Sequence, residues 1–265
     1  MKVQEELFIK IPTFNGLIQK IKVVLKKDSG HTKKHFSEIL ISLHLPKTGG
    51  ISFLACIEQH FEDSLLKDYY SLPKKTPENI RKYLRKKTSL HSSLSNAKKN
   101  FNGIGCIHGH FLPLKYLLLA SKRSLKFVTW MRNPVERLVS HYFYWKSNFE
   151  PNSSPGLQSK MIKEEWSLKR FCLGPEVRNI YTQYLWGFPL EYFDFIGITE
   201  FYEEDLQYFG KHFLNTSLEV QKLNVGNEGN GGYKIDPSFR KEIETFHAKD
   251  MELYQRALEM RQKRI

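Results

Sequence analysis

Between Glu38 and Phe61 an apolar run, a Pro-Lys-Thr-Gly-Gly turn and a helical pattern follow one another without a gap. That order commits the segment to strand, loop and helix. Residues 38 to 45 (EILISLHL) are rich in Ile and Leu, as in a strand buried in a parallel sheet, and from Ile51 the apolar residues Ile51, Leu54, Ile57 and Phe61 recur at three- and four-residue spacing. The loop therefore sits at the strand's carboxyl end. There, Gly49 and Gly50 let backbone approach an anion, the first N–H groups of the helix point at it, and Lys47, Thr48 and Ser52 add a cation and two hydroxyls. Such a loop can seat a phosphate or sulfate; it can also be an ordinary strand-to-helix turn. A nucleotide-triphosphate loop needs Gly-x-x-x-x-Gly-Lys-Ser/Thr, with lysine after the second glycine, whereas Lys47 precedes both, which disfavours a Walker-type ATPase or kinase.

A chain of 265 residues with 40% hydrophobic content can bury a substantial core. The expected organisation is an N-terminal arm over residues 1–36, leading through the basic stretch 26 to 34, and a single domain over 37–265. An excess of 41 Lys and Arg over 28 Asp and Glu, net +13, calls for an anionic partner: nucleic acid, an anionic membrane surface, a phosphorylated cofactor or an acidic glycan. Cys56, Cys106 and Cys172 are far apart and lack metal-ligand spacing, so they read as buried hydrophobes in a reduced compartment. The first forty residues hold no long apolar run, so no secretory or transmembrane segment is expected there, and the protein is expected to be cytoplasmic.

Residues 74 to 99 carry nine Lys or Arg against Glu78 alone. A helix is expected from Pro77 to Lys87, with Ile80, Tyr83 and Leu84 on one side; its cations form either a solvated face or an attractant for an acidic acceptor. Residues 103 to 108 form a second strand ending in His108-Gly109-His110, at the sheet edge where open α/β folds bind ligands. One of these histidines can serve as a base near neutral pH. They can also be hydrogen-bonded core residues; metal is the poorest reading, since no third ligand is evident nearby.

A third strand over Ser124 to Met131 runs straight into Arg132-Asn133-Pro134. Pro134 suits the first helical position and Asn133 the cap of an amphipathic helix through Val135, Leu138, Val139, Tyr142 and Phe143. Ser140 then lies roughly 12 Å along the axis from Arg132 at 1.5 Å per residue, so a group bound between them is bulky. Further on, a helix is expected from Gly174-Pro175 to Leu185, a fourth strand over residues 192 to 199, a helix over 200 to 213, a Gly-Asn-rich lid over 225 to 232 and one last helix from Pro237 to about Arg261. Strands alternating with helices give an α/β fold with a mostly parallel central sheet.

Together, strand-Pro-Lys-Thr-Gly-Gly-x-Ser-helix, His-Gly-His-Phe, and strand-Arg-Asn-Pro-x-Glu-Arg-Leu-x-Ser-x-Tyr resemble the sulfotransferases that use PAPS (3′-phosphoadenosine 5′-phosphosulfate), in the carbohydrate branch that includes heparan sulfate 2-O-sulfotransferase. Residues 195 to 200 (FIGITE) and 223 to 226 (LNVG) also look like family segments, so the resemblance runs from about residue 38 to the C-terminal helix. It implies a P-loop-like sulfotransferase fold and a chain that transfers a sulfuryl group to an acceptor hydroxyl, most naturally of an anionic saccharide or glycoconjugate, releasing PAP. Carried over by position, Lys47, Thr48, Gly49, Gly50, Ile51 and Ser52 match the loop that holds the 5′-phosphosulfate, and Arg132 with Ser140 the pair that holds the 3′-phosphate. His110 falls where the 2-O-sulfotransferases place their base, with His108 beside it, and Lys47 doubles as a charge stabiliser. No metal is implied. Ile51 departs from the family's usual Thr or Ser, and roles for Tyr233 or Lys234 stay open. The rival readings are a basic nucleic-acid-binding protein using residues 74 to 99, which leaves the anion-site motifs unexplained, and a kinase-like phosphotransferase, which lacks the Walker spacing.

Overall fold

A computed structural model describes residues 36–69, 76–220 and 234–265, all within one compact unit, Lys34–Ile265. The arm up to residue 35, Lys74 and Lys75, the lid at 225 to 232, the 223 to 226 segment and Tyr233 lie outside the described residues. Five strands, β1 (Glu38–Leu43), β2 (Leu65–Asp68), β3 (Cys106–Gly109), β4 (Ser124–Met131) and β5 (Phe195–Ile198), form one parallel sheet in the order β2-β3-β1-β4-β5. The fold is therefore α/β, as the alternation of strands and helices leads one to expect. Ile39, Ile41 and Leu43 of β1 face one buried cluster while Leu40 joins Phe53, Trp130 and Phe209 in another on the opposite side, so the central strand is apolar on both faces.

The helices are α1 (Gly50–Phe61), α2 (Glu78–Asn96), α3 (Leu114–Leu117), α4 (Pro134–Ser147), α5 (Gly156–Lys163), α6 (Leu168–Cys172), α7 (Ile180–Tyr184), α8 (Tyr202–Phe209), α9 (Pro237–Phe246) and α10 (Ala248–Arg264). Asn133 caps α4, its side chain accepting from the Val135 and Glu136 amides, with Pro134 at the first helical position.

Several boundaries differ from the sequence reading. The first strand stops at Leu43 because His44 turns into the loop, the second is shifted to Cys106–Gly109, and the fourth is trimmed to Phe195–Ile198. The edge strand β2 has no sequence signature of its own and forms by pairing with β3. The basic helix runs on to Asn96 rather than ending at Lys87. The stretch from Gly174 to Leu185 is a 3₁₀ turn and a short α7, interrupted where Asn179 takes a left-handed φ of 51°. The stretch from 200 to 213 begins as a 3₁₀ turn, passes through α8 and ends in a π-helical turn, Gly210–Leu214. The expected last helix is two, α9 and α10, broken at His247, whose ring is used instead to pin two other segments: Nε2 donates to the Cys172 carbonyl at 2.7 Å and Nδ1 accepts from the Asn179 amide at 3.1 Å.

Candidate active site

Parallel pairing sends the ends of β1, β3 and β4 to one edge of the sheet, so the loops carrying Lys47, His110 and Arg132 all emerge there. One side chain ties two of them together. The Thr199 hydroxyl, just past β5, lies 2.9 Å from the Thr48 carbonyl and 3.0 Å from the Met131 carbonyl, joining the loop after β1 to the residue before Arg132.

Each glycine of the loop has its own reason. Gly49 adopts a φ of 80° at the N-cap of α1. Gly50 is close-packed: a Cβ there would lie 2.1 Å from the His44 ring. Lys47 itself has a φ of 65°, a conformation that costs a non-glycine residue about 1 kcal/mol or more and persists where surrounding structure enforces it. Its ammonium lies 3.8 Å from the centre of the Tyr144 ring, so a residue of α4 holds the loop's cation. Thr48 is fully buried and its hydroxyl donates to the Leu45 carbonyl at 3.0 Å, leaving its main chain as the part that can face a ligand. Ile51 is exposed on the first turn of α1 and Ser52 is buried.

On the β4 side, the Arg132 backbone is clamped by a fully buried tyrosine. The Tyr181 hydroxyl donates to the Arg132 carbonyl at 2.6 Å and accepts from the Arg132 amide at 3.0 Å. Tyr181 is held in turn by Asp250 of α10, whose carboxylate accepts from the Tyr181 and Thr182 amides, both at 3.0 Å. Glu200 accepts from the Asn133 amide at 2.7 Å. One turn into α4, Arg137 is fully buried with none of its guanidinium nitrogens hydrogen-bonded among the described residues; it lies 5.6 Å from the Tyr181 ring centre. Ser140 is buried on the same helix.

The two histidines of the His-Gly-His motif differ. His108 is buried beside Ser42, its direct neighbour across the β1–β3 ladder, with Oγ and Nδ1 2.8 Å apart. Burial, then His110 and Lys67, push its pKa down to about 3. His110 is half-buried, and its Nδ1 lies 2.6 Å from the His44 carbonyl. A carbonyl only accepts, so Nδ1 carries the hydrogen and the Nε2 lone pair is left basic. Burial lowers the His110 pKa, the bond to the His44 carbonyl opposes that, and the Arg85 charge lowers it further. Gly109 separates the two histidines because a Cβ there would lie 2.0 Å from the Asp68 carbonyl oxygen of β2.

Four further groups complete the region and escape a reading by motif. The His44 ring lies between those of His110 and His108, at 4.4 and 5.2 Å, with Nδ1 3.0 Å from the Tyr69 hydroxyl. Burial first, and then the electrostatic influence of His110, His108 and Lys47, push its pKa down to about 2, so it stays neutral. His141 of α4 is half-buried and packs against Trp145 and Phe171, its pKa pushed far down by desolvation and then by Arg137, Lys47 and His110. Tyr184 stands 6.3 Å from the His110 ring and carries the Arg85 guanidinium on its face at 4.6 Å. Lys86 lies 4.8 Å from the Trp186 ring. Only lone aromatic or histidine residues mark these positions in sequence; His44, directly before Leu45-Pro46-Lys47, is the one that adjacency to the anion loop could have flagged.

Among the described residues no group of His, Cys, Asp and Glu could hold a metal ion, and no helix is long and apolar enough to cross a membrane. Cys56, Cys106 and Cys172 are all buried, and the Cys56 thiol donates to the Glu219 carbonyl at 3.3 Å.

No protein-family model matches the chain, and no curated protein matches it. Among solved structures it is similar to the crystal structure of a sulfotransferase from Alicyclobacillus acidocaldarius, with 13% identity and a TM-score of 0.37, covering 81% of this chain and 92% of that one. At that degree of likeness the functional reading rests on the site and its motifs.

Proposed function

We propose that the chain is a PAPS-dependent O-sulfotransferase with His110 as its general base. The observation that carries this reading is the convergence, at one edge of a parallel sheet, of a glycine loop bearing Lys47, the clamped Arg132 segment and a histidine whose Nε2 has no hydrogen bond among the described residues. The residues fit the co-substrate: close-packed Gly50 and left-handed Gly49 bring loop amides and the first turn of α1 to an anion, and no acidic side chain stands in that turn to compete. Lys47, the 48 to 51 backbone and Ser52 would hold the 5′-phosphosulfate, and Arg132 with Ser140 the 3′-phosphate.

PAPS supplies the sulfuryl group. His110 Nε2 takes the proton of the acceptor hydroxyl as its oxygen bonds to sulfur, while the bridging sulfur–oxygen bond breaks and its electron pair leaves with PAP. Lys47 and the loop amides meet the charge growing on the departing oxygen. His108, held by Ser42, and His44, neutral between the two rings, act by positioning His110. The Arg85 charge beside it, displayed on Tyr184, favours an acceptor that is itself anionic, in keeping with a saccharide or glycoconjugate. Cys106 and Cys172, buried and with free thiols, accord with a cytoplasmic setting.

Nucleotide competition tests the reading. Tighter binding of 3′,5′-ADP than of ATP or duplex DNA, measured by calorimetry, is expected; the reverse ranking overturns it in favour of a phosphotransferase or nucleic-acid binder. Mass spectrometry of reactions containing labelled PAPS and acceptor extracts then identifies the hydroxyl.

A further inference from the structure

Helix α2 is amphipathic the wrong way round. Its buried residues are Ser89, Ser93 and Asn96, and Asn96 donates to the Lys115 carbonyl of the adjoining α3 segment. Its exposed residues are Asn79, Ile80, Tyr83, Lys87, Leu90, His91 and Leu94. Ile80, Tyr83, Leu90 and Leu94 are 41%, 61%, 50% and 62% exposed. At 100° per residue these four fall within an arc of about 80°, so they form one stripe, with Lys87 inside it. Leu118, 43% exposed on the turn that packs against α2, adds to the apolar surface. Scattered surface leucines are ordinary; a helix that turns Ser89, Ser93 and Asn96 inward and Leu90 and Leu94 outward presents a surface built to be covered.

The charges beside the stripe identify the cover. Arg81, Lys82, Arg85, Lys86 and Lys87 lie on the helix, and Lys98 and Lys99 are exposed just beyond its end, against Glu78 as its one acidic residue. A second copy, also carrying +13, would bring Lys87 and its neighbours against like charge. An anionic lipid surface meets Lys87 within the stripe, Lys86 near its edge and Lys98 and Lys99 beyond the helix end with opposite charge, and accepts the stripe into its headgroup boundary. We infer that α2 is an interfacial helix that docks the protein on anionic membranes through Ile80, Tyr83, Leu90 and Leu94, with the flanking lysines on lipid headgroups. Arg85 lies roughly half a turn from the stripe, on the side that reaches Tyr184, so docking leaves the His110 region uncovered. This attachment stands apart from sulfuryl transfer: either can fail without the other.

Cosedimentation of the full chain with vesicles tests it. Binding is expected to vesicles of phosphatidylcholine mixed with phosphatidylserine and not to phosphatidylcholine alone, weakening as salt rises. L90Q/L94Q is expected to lower partitioning by about tenfold or more, and Lys87→Gln by about fivefold, whereas Lys241→Gln on α9, an equal change of net charge, leaves it nearly unaltered. Both leucines are exposed, and an unchanged melting temperature and 3′,5′-ADP affinity verify the fold. As a second measurement, an environment-sensitive fluorophore placed by Leu94→Cys should shift to the blue on the mixed vesicles; the three native cysteines are buried, which favours labelling at the new one. The inference is overturned by no binding to the mixed vesicles, by equal binding to both compositions, by wild-type partitioning in L90Q/L94Q, or by a wild-type dimer that L90Q/L94Q converts to monomer.

Discussion

The anion side and the proton side of the candidate site are held in contrasting ways. Around Arg132 the backbone is fixed by directed hydrogen bonds: Tyr181 clamps its amide and carbonyl, Asp250 holds Tyr181, and Glu200 holds Asn133. Around His110 the rings of His44, His108, Tyr69 and Tyr184 pack on one another, and a single short bond to the His44 carbonyl fixes the tautomer. A phosphate-binding segment gains from backbone that cannot shift; a base must keep one nitrogen unbonded and neutral. Low polarity around the imidazole achieves the second, since burial disfavours its charged form.

This contrast predicts how each side should fail. The largest loss is expected for His110→Ala, which removes the base and leaves the anion side intact: kcat should fall on the order of 10²- to 10⁴-fold with 3′,5′-ADP affinity nearly unchanged. An unchanged kcat in steady-state assays would remove the assignment.

Next is Gly50→Ala, which strikes the junction of the two sides. A methyl group 2.1 Å from His44 must displace that ring, and overpacking of this kind costs about 1–3 kcal/mol. Denaturant unfolding should show the loss, and because His44 carries the carbonyl that orients His110, kcat and nucleotide affinity should both decline. Loss of affinity alone would show the sides to be independent.

Tyr181→Phe keeps the ring and deletes both bonds to the Arg132 backbone. With each neutral bond contributing about 0.5–1.5 kcal/mol, the 3′,5′-ADP dissociation constant should rise by about fivefold to about 150-fold at nearly constant kcat. Affinity for 5′-AMP, which lacks the second phosphate, should barely move; an equal loss for both nucleotides would indicate general destabilisation.

The sheet was legible because its inner strands announce themselves: β1 is apolar on both faces, and β4 runs into Arg-Asn-Pro with a cap that the structure keeps. What the sequence hid was contributed by residues distant in the chain. Tyr181 finds Arg132 across 49 positions, Thr199 finds Thr48 across 151, and His247 interrupts an otherwise helical pattern to reach Cys172. No local periodicity encodes such pairings. Edge strand β2 was missed for the same reason, since Leu65-Leu66-Lys67-Asp68 becomes a strand by pairing with β3. His44 stood in view within the loop, yet its part depends on the rings of β3 brought beside it.

The smallest effect concerns pH. A base acts in its neutral form, so activity should be lost as pH falls through the His110 pKa, and burial followed by the Arg85 charge places that pKa below the ordinary imidazole value of 6.5. The acid limb of kcat/KM should therefore lie below pH 6.5, with a plateau through neutrality. His44 and His108, held at about 2 and 3, are already neutral in that window, and the Tyr69 hydroxyl, raised to about 12, stays protonated. Arg85→Gln removes the positive charge that opposes protonation of His110, so the limb should move to higher pH, by a fraction of a unit as for a partly screened charge. An unshifted limb would mean that Arg85 acts on the acceptor rather than on His110 and leave burial alone as the cause of its depressed pKa.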